Sequence, residues 1–153
     1  MGTELTAQSL TVTITEALAV DHANGATNDL DFAQTYTHTY ASIANVSKRI
    51  IKLANTNLTE IATFGSTTAD GAFVRADVRY IRVTNLDSSD ALQVGLDDEA
   101  SDAGYTSVAA DSSIIYTGTT VEGDNGGSTL DAATALKVKG SANQQLEVFI
   151  ASV

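Results

Sequence analysis

The side chains of this sequence that could do chemistry are carboxylates and hydroxyls, because its 153 residues include two histidines and no cysteine. The densest acidic group is Asp97-Asp98-Glu99, followed by Asp102. Such a group could bind calcium, or a pair such as Asp97 and Glu99 could serve a glycosidase. It matches neither an EF-hand loop nor a glycine-aspartate nonapeptide repeat, and the sequence around it supplies no apolar pocket. A solvated acidic loop is the simpler interpretation, and calcium binding by residues 97–102 stays open.

Motifs for nucleophilic catalysis and for phosphate binding are absent from the sequence. It has no Gly-x-Ser-x-Gly elbow, and neither His22 nor His38 lies in a triad motif. The glycine-rich run 123–127 lacks the Gly-Lys-Ser/Thr ending of a P-loop. A zinc site on two histidines would need carboxylates to complete it. We therefore predict a protein that is not an enzyme and that needs no cofactor or metal.

One aromatic row could bind a flat ligand. Between residues 35 and 40, threonines alternate with Tyr36, His38 and Tyr40, which places the three rings on one face of a strand. Such a row could stack a sugar, as in a carbohydrate-binding module, but cross-strand packing inside a sheet explains it without a ligand. The sequence has no tryptophan and only 6% aromatic residues, which favours the packing interpretation.

The charges are unevenly distributed along the chain. The formal net charge of −11 disfavours nucleic acid as a partner. Residues 1–47 carry five acids and no base, and residues 87–131 carry ten acids and no base. Six of the eight basic residues lie in one stretch between these acidic regions, and they form the candidate interface: Lys48, Arg49, Lys52, Arg75, Arg79 and Arg82. A basic band on an acidic body could orient subunits against one another or against an acidic support.

Length and composition are typical of one domain that folds by packing alone. No disulfide can form, and proline is absent. The first residues show neither a basic region nor an apolar run, and no stretch approaches membrane-spanning length. We therefore expect a soluble protein made in a cytoplasm, with no membrane partner. Residues 1–9 are small and polar, so we expect a flexible N-terminal arm ahead of a single domain at 10–153.

Alternation of apolar and polar residues, the pattern of a half-buried strand, recurs along most of the chain. Strands are expected at 10–18, 35–40, 48–54, 58–64, 73–86, 91–96, 105–110, 114–117, 136–139 and 146–153. Loops are expected at 21–31, 65–71 and 118–128. The segment 43–64 also has apolar residues near helical spacing, so a helix is the alternative there, although its Thr, Asn and β-branched residues favour strands.

The stretch 78–96 carries two further predictions. Two β-rich runs flank the turn-forming residues Asp87-Ser88-Ser89-Asp90, which favours a hairpin. Within the first run the apolar positions change phase after Tyr80, because Ile81 and Val83 occupy the other set of alternate positions. A bulge or bend near Arg79 to Ile81, or burial of both faces, is therefore predicted.

These elements predict an all-β protein of about 8–10 short strands, an antiparallel β-sandwich or jelly roll. Turn signals recur at the spacing of such folds, and no run of alternating helices is present. Strand edges without proline need to be covered, and pairing with another subunit is a common way to cover them. We therefore expect the chain to form homo-oligomers.

The same stretch carries a family resemblance. The run Val78-Arg79-Tyr80-Ile81-Arg82-Val83-Thr84-Asn85-Leu86-Asp87, with Ala91-Leu92-Gln93-Val94-Gly95-Leu96 after it, resembles a segment of small auxiliary virion proteins of tailed bacteriophages. The resemblance covers residues 73–117. It implies a β-sandwich that decorates or cements the outside of the head, or that belongs to the neck or tail. It further implies a trimer, a major capsid or other virion protein as partner, and a place on the outer surface of the particle.

Two other functions fit parts of the sequence. A carbohydrate-binding or adhesive module would use Tyr36, His38 and Tyr40 as its stacking platform. A secreted enzyme domain would need an apolar pocket with convergent carboxylates. The expectation we carry forward is a non-enzymatic capsid decoration protein, with a neck or tail protein as the nearest alternative.

Overall fold

The computed structural model describes residues 8–18, 32–67, 72–98, 104–117 and 133–153. Within these ranges the chain forms eleven strands and one turn of 3-10 helix, and no α-helix. The prediction of an all-β protein is confirmed, with one strand more than expected. The strands are β1 Gln8–Leu18, β2 Phe32–Ile43, β3 Asn45–Lys52, β4 Thr59–Gly65, β5 Ala72–Val74, β6 Val78–Asn85, β7 Leu92–Asp98, β8 Thr106–Val108, β9 Ser113–Thr117, β10 Ala133–Lys139 and β11 Gln145–Ser152.

Two sheets pack together as a sandwich. One has five strands in the order β5-β4-β10-β7-β8, and the other has four in the order β3-β11-β6-β9. All pairings are antiparallel except the short parallel pair of β4 and β5. The core between the sheets takes alternate residues of the central strands, such as Leu136 and Val138 from β10 and Leu146, Val148 and Ile150 from β11. Burial of these aliphatic side chains is the main stabilising contribution in a chain without disulfides.

The first two strands form a separate sheet, which we call the β1–β2 ribbon. Its antiparallel register runs from Leu10 opposite Tyr40 to Leu18 opposite Phe32. At the Tyr40 end the ribbon packs on the sandwich through a second apolar cluster, in which Tyr40 and Ile43 meet Tyr80 and Ala151. Only this end of the ribbon is buried against the body.

The prediction of a hairpin at 78–96 is wrong. Its two strands, β6 and β7, lie in different sheets, so the connection between them crosses from one layer of the sandwich to the other. The turn residues are local and would suit either connection, whereas the pairing is decided by distant strands: β6 lies between β11 and β9, and β7 lies between β10 and β8. The side chain of Asp87 still organises the turn, accepting hydrogen bonds from the backbone N–H groups of Ser89 and Asp90.

The predicted phase change is confirmed. The register between β6 and β11 shifts where Ala151 pairs with Tyr80 and Ser152 pairs with Val78, which leaves Arg79 as the extra residue of a β-bulge. Tyr80 and Ile81 are both buried, on opposite faces of the sheet. The strand therefore contributes to both apolar clusters.

The remaining sequence predictions have mixed outcomes. The two strands favoured over a helix in 43–64 are confirmed as β3 and β4. The strand expected at 73–86 is divided by the 3-10 turn Arg75–Asp77 into β5 and β6, which lie in different sheets, and the remaining predicted strands correspond to observed strands within a few residues. The first strand begins at Gln8, so residues 8 and 9 of the expected N-terminal arm belong to β1. Residues 1–7 of that arm, and the loops expected at 21–31 and 118–128, lie outside the described residues, as do residues 99–103 of the acidic stretch and residues 68–71 of the loop expected at 65–71.

Candidate interaction surface

One face of the β1–β2 ribbon is a regular array of threonines. Three cross-strand pairs bring their hydroxyls together, with Oγ1–Oγ1 distances of 3.2–3.4 Å: Thr11 with Thr39, Thr13 with Thr37, and Thr15 with Thr35. Threonine suits a strand because its branched Cβ fits the pleated surface, and each cross-strand pair adds a few tenths of a kcal/mol up to about 1 kcal/mol. The ribbon thus holds together without burying this face.

The opposite face of the ribbon is apolar, and it changes from buried to exposed along its length. Tyr40 packs against Tyr80 of the sandwich, with ring centroids 6.1 Å apart, and against His38 at 4.4 Å. Further out, Ile14 and Tyr36 lie opposite each other and are 43% and 50% exposed. The outer part of this apolar face is therefore left about half exposed within the described chain.

The predicted aromatic row is divided by this change in burial. Tyr40 is only 9% exposed, and its position in the second apolar cluster leaves little of the ring for a ligand. Tyr36 and His38 are exposed. The three rings consequently do not form one continuous open platform.

A groove of about 470 Å³ separates the ribbon from the outward face of the four-stranded sheet. On the ribbon side it is lined by Leu10, Thr11, Val12, Thr13 and Ile14. Tyr80, Arg82, Ser113, Ile115, Phe149 and Lys48 line it on the sheet side. Its lining is mixed: apolar side chains, hydroxyl side chains and the basic side chains of Lys48 and Arg82.

A charged cluster sits at this groove, on the outward face of β3, β11 and β6. Glu147 forms ion pairs with two basic residues, at 3.1 Å from Lys48 Nζ and 2.6 Å from Arg82 Nη2. The hydrogen bond from Lys48, together with that from Arg82, lowers the pKa of the Glu147 carboxyl below its ordinary range. Arg82 also lies over the ring of Phe149, 5.8 Å from its centroid. The cluster thus pairs both basic side chains with Glu147 on the outward face of the sheet.

The six basic residues predicted as an interface are only partly brought together. Lys48 and Arg82 meet at Glu147, and Lys52 is exposed further along β3. Arg49 turns the other way and donates a 2.6 Å hydrogen bond to the carbonyl of Ile61 in the opposite sheet. Arg75 lies in the 3-10 turn, and Arg79 donates to the carbonyls of Ala76 and Val78. The basic residues of the outward face are therefore Lys48, Lys52 and Arg82.

The outward face of β3 also carries two exposed apolar residues that the sequence analysis did not single out. Val46 and Ile50 are 58% and 67% exposed, and they flank Lys48 on the same side of the strand. The sequence does carry a signal for this exposed apolar surface: Ile50 and Ile51 are adjacent, so one of them must lie on each face of β3. Ile51 packs on the sandwich core, which leaves Ile50 facing outward.

The acidic stretch that could have bound a metal is described only at its beginning. Asp97 forms an ion pair and hydrogen bond with Lys137 of the neighbouring strand β10, and this partner raises the pKa of the lysine. Over the ranges that the structure describes, no group of three His, Cys, Asp or Glu side chains is placed to hold a metal ion. Nor does any helix in those ranges have the length and apolar character needed to cross a membrane.

Comparison with known proteins identifies no relative of this chain. No protein-family model, no curated protein and no solved structure matches it.

Proposed function

We propose that this chain is a non-enzymatic structural protein of the virion of a tailed bacteriophage, and specifically a decoration or cement protein on the outer surface of the head. One observation supports it most: the sandwich carries a two-stranded ribbon whose outer apolar face is left about half exposed in the described chain. A protein of this shape is suited to holding neighbours. The resemblance of residues 73–117 to small auxiliary virion proteins implies its binding partners: a major capsid or other virion protein, and further copies of the chain.

A cement protein acts by adding contact area across the seams between shell subunits. Specific protein interfaces bury about 1,200–2,000 Å² in total, so one small sandwich with a projecting ribbon can supply such a contact. Rigidity matters because a loose connector would lose conformational entropy on binding. The chain has an aliphatic core, hydrogen-bonded corners and cross-strand hydroxyl pairs in the ribbon, and it needs no metal, cofactor or bond chemistry for this role.

The positions of the basic residues indicate which surface would bind the shell. Lys48, Lys52 and Arg82 are the basic residues of the outward face, on a chain whose net charge is −11. An acidic patch on the shell, or on an adjoining copy, would be attracted to this face and repelled by most of the rest of the protein. A neck or tail position would use the same surface on a different support. A carbohydrate-binding function has less support, because Tyr40 is packed against Tyr80.

The experiment is a binding assay with particles of the phage whose genome encodes the chain. Purified protein is mixed with particles that lack it, and bound protein is measured after sedimentation at low and high salt. We expect saturable binding that Lys48→Glu/Lys52→Glu weakens by about tenfold or more, and that added salt weakens in the wild type. Lys139→Glu, an exposed change on β10 of the other sheet, is the control and should bind normally. A folded wild-type chain that does not bind the particles would overturn the proposal.

A further inference from the structure

The outer part of the β1–β2 ribbon exposes apolar side chains, and we expect another protein surface to bury them. From Leu10 to Leu18 it extends roughly 26 Å at about 3.3 Å per residue, and beyond Val12 and His38 the residues whose side chains are described are exposed on both faces. A two-stranded ribbon is marginally stable in water unless a third strand or a packed surface supports it. The threonine pairs support one face. The opposite face, with Ile14 and Tyr36, has no comparable cross-strand hydrogen bonds among the described residues.

A second unpartnered surface lies on the outward face of β3. This strand is at the edge of its sheet, and Val46 and Ile50 stay more than half exposed although the chain's own ribbon is in place. Four of the large apolar side chains that the structure leaves exposed therefore belong to these two surfaces: Ile14, Tyr36, Val46 and Ile50. Lysines on an edge strand discourage edge-to-edge pairing, so Lys48 and Lys52 favour a contact made through the face of β3.

The charges of the two surfaces are complementary. The two ribbon strands contain one acidic residue, Glu16, and no lysine or arginine. Glu16 belongs to the apolar face by register, two residues beyond Ile14, and is exposed. Strand β3 carries Lys48 and Lys52 on its outward face and no acidic residue. Lys48 is already paired with Glu147 of β11, so the attraction between the two surfaces comes chiefly from Glu16 and Lys52.

We propose that the ribbon of one copy packs its apolar face on the outward face of β3 of a second copy. The contact joins the exposed apolar side chains of the two surfaces: Ile14 and Tyr36 from the ribbon, Val46 and Ile50 from β3. The two surfaces are different, so each copy offers one ribbon and one receiving face, and such a contact gives a reciprocal pair, a ring or an open chain of copies. This inference deepens the self-association within the proposed function and rests on it.

Sedimentation velocity or light scattering on the full chain tests the contact. We expect the wild type to be oligomeric, and Tyr36→Lys to weaken association by about tenfold or more by placing a charge in the apolar contact. Ala33→Lys is the matched control: it adds the same charge to the exposed threonine face of β2, where no hydroxyl pair is lost, and should assemble normally. Ile50→Lys should act like Tyr36→Lys from the receiving side. Circular dichroism checks that each variant is folded.

Mixing the two defective variants separates this contact from any other. Tyr36→Lys has an intact receiving face, and Ile50→Lys has an intact ribbon, so the mixture should form mixed oligomers that neither variant forms alone. Three outcomes would overturn the inference: a monomeric wild type, normal assembly of Ile50→Lys, or no recovery on mixing. If the monomer still binds particles, the proposed function stands and a shell protein covers the ribbon instead. If the chain assembles as expected but binds no particle, the proposed function fails and this contact stands.

Discussion

Gln144 donates a hydrogen bond from Nε2 to Oδ1 of Asn85 across 3.0 Å, and both side chains are almost completely buried, at 2% and 0% exposure. The pair joins three connections at one end of the sandwich. Asn85 Nδ2 donates to the carbonyls of Asp90, Val108 and Ala109, and Gln144 Nε2 also donates to the carbonyl of Asp90. Buried amides of this kind strengthen a fold only when every partner is present, because an unpaired buried polar group costs free energy.

Removing either amide should therefore destabilise the protein strongly. We expect Asn85→Ala to lower the free energy of unfolding by about 2–4 kcal/mol and Gln144→Ala by a similar amount, since each leaves buried carbonyls or an amide without a partner. Gln145→Ala, the exposed neighbour, is the control and should change it by less than about 0.5 kcal/mol. Urea denaturation measures all three. The double variant Asn85→Ala/Gln144→Ala should cost less than the sum of the single changes, because the two residues share a bond.

The side-chain amide of Gln144 also explains the glycine at position 140, because it occupies the space that a side chain at that position would need. A Cβ at this position would overlap Gln144 Oε1 and approach Leu53 Cδ1 to 3.0 Å. Gln144 cannot move aside freely, because its Oε1 accepts a hydrogen bond from the backbone N–H of Ser141. We expect Gly140→Ala to cost about 1–3 kcal/mol of unfolding free energy, and most of that cost to disappear in a Gln144→Ala background. Gly104→Ala, where the added Cβ meets nothing within 4 Å, is the control for thermal denaturation.

The ion pairs of Glu147 make stability depend on acid pH. The pKa of its carboxyl is lowered in the folded protein, so the folded state binds this proton less readily than the unfolded chain. Its contribution is present above the ordinary value of 4.5 and is lost as the pH falls through the lowered pKa. We expect Glu147→Gln to lower the unfolding free energy by about 1 kcal/mol at pH 7 and to reduce its fall below pH 4.5. Chemical denaturation from pH 7 to pH 3 measures this, with Glu60→Gln as an exposed control. Equal slopes in the wild type and Glu147→Gln would contradict it.

The threonine pairs should determine how firmly the ribbon is ordered. Replacing Thr13 and Thr37 by alanine removes one hydroxyl pair and two β-branched side chains, which costs about 0.5–2 kcal/mol of local stability. The expected result is faster hydrogen exchange of the backbone amides in β1 and β2, with exchange in β11 unchanged. Thr84→Ala is the control, since its hydroxyl pairs with Ser113 on the sandwich itself. If the ribbon amides exchange no faster in the double variant, the pairs do not order the ribbon.

Much of this fold can be predicted from the sequence, because strand formation leaves a local signal. Alternation identified most of the strands, and the change of phase at Tyr80 located the bulge that lets β6 contribute to both apolar clusters. Strand pairing leaves no such local signal. The turn 87–90 is compatible with a hairpin or with a crossing between sheets, and distant partners such as β11 and β10 decide which forms.

The interaction surface was harder to predict for the same reason. Basic residues that are close in sequence, such as Lys48 and Arg49, point to opposite faces of β3, and Glu147 collects Lys48 and Arg82 from different strands. Tyr36 and Tyr40 alternate in the same way along β2. One is exposed and the other is buried, because only one end of the ribbon reaches the sandwich.

The most direct test of the proposed function is the stability of phage particles made without this protein. Heads from a deletion mutant are heated, and DNA release is followed by the fluorescence of a dye that cannot enter intact heads. We expect release at a lower temperature than in wild-type particles, and recovery of the wild-type temperature when purified protein is added back. Deletion particles that release DNA at the wild-type temperature, or that do not take up the added protein, would contradict the account.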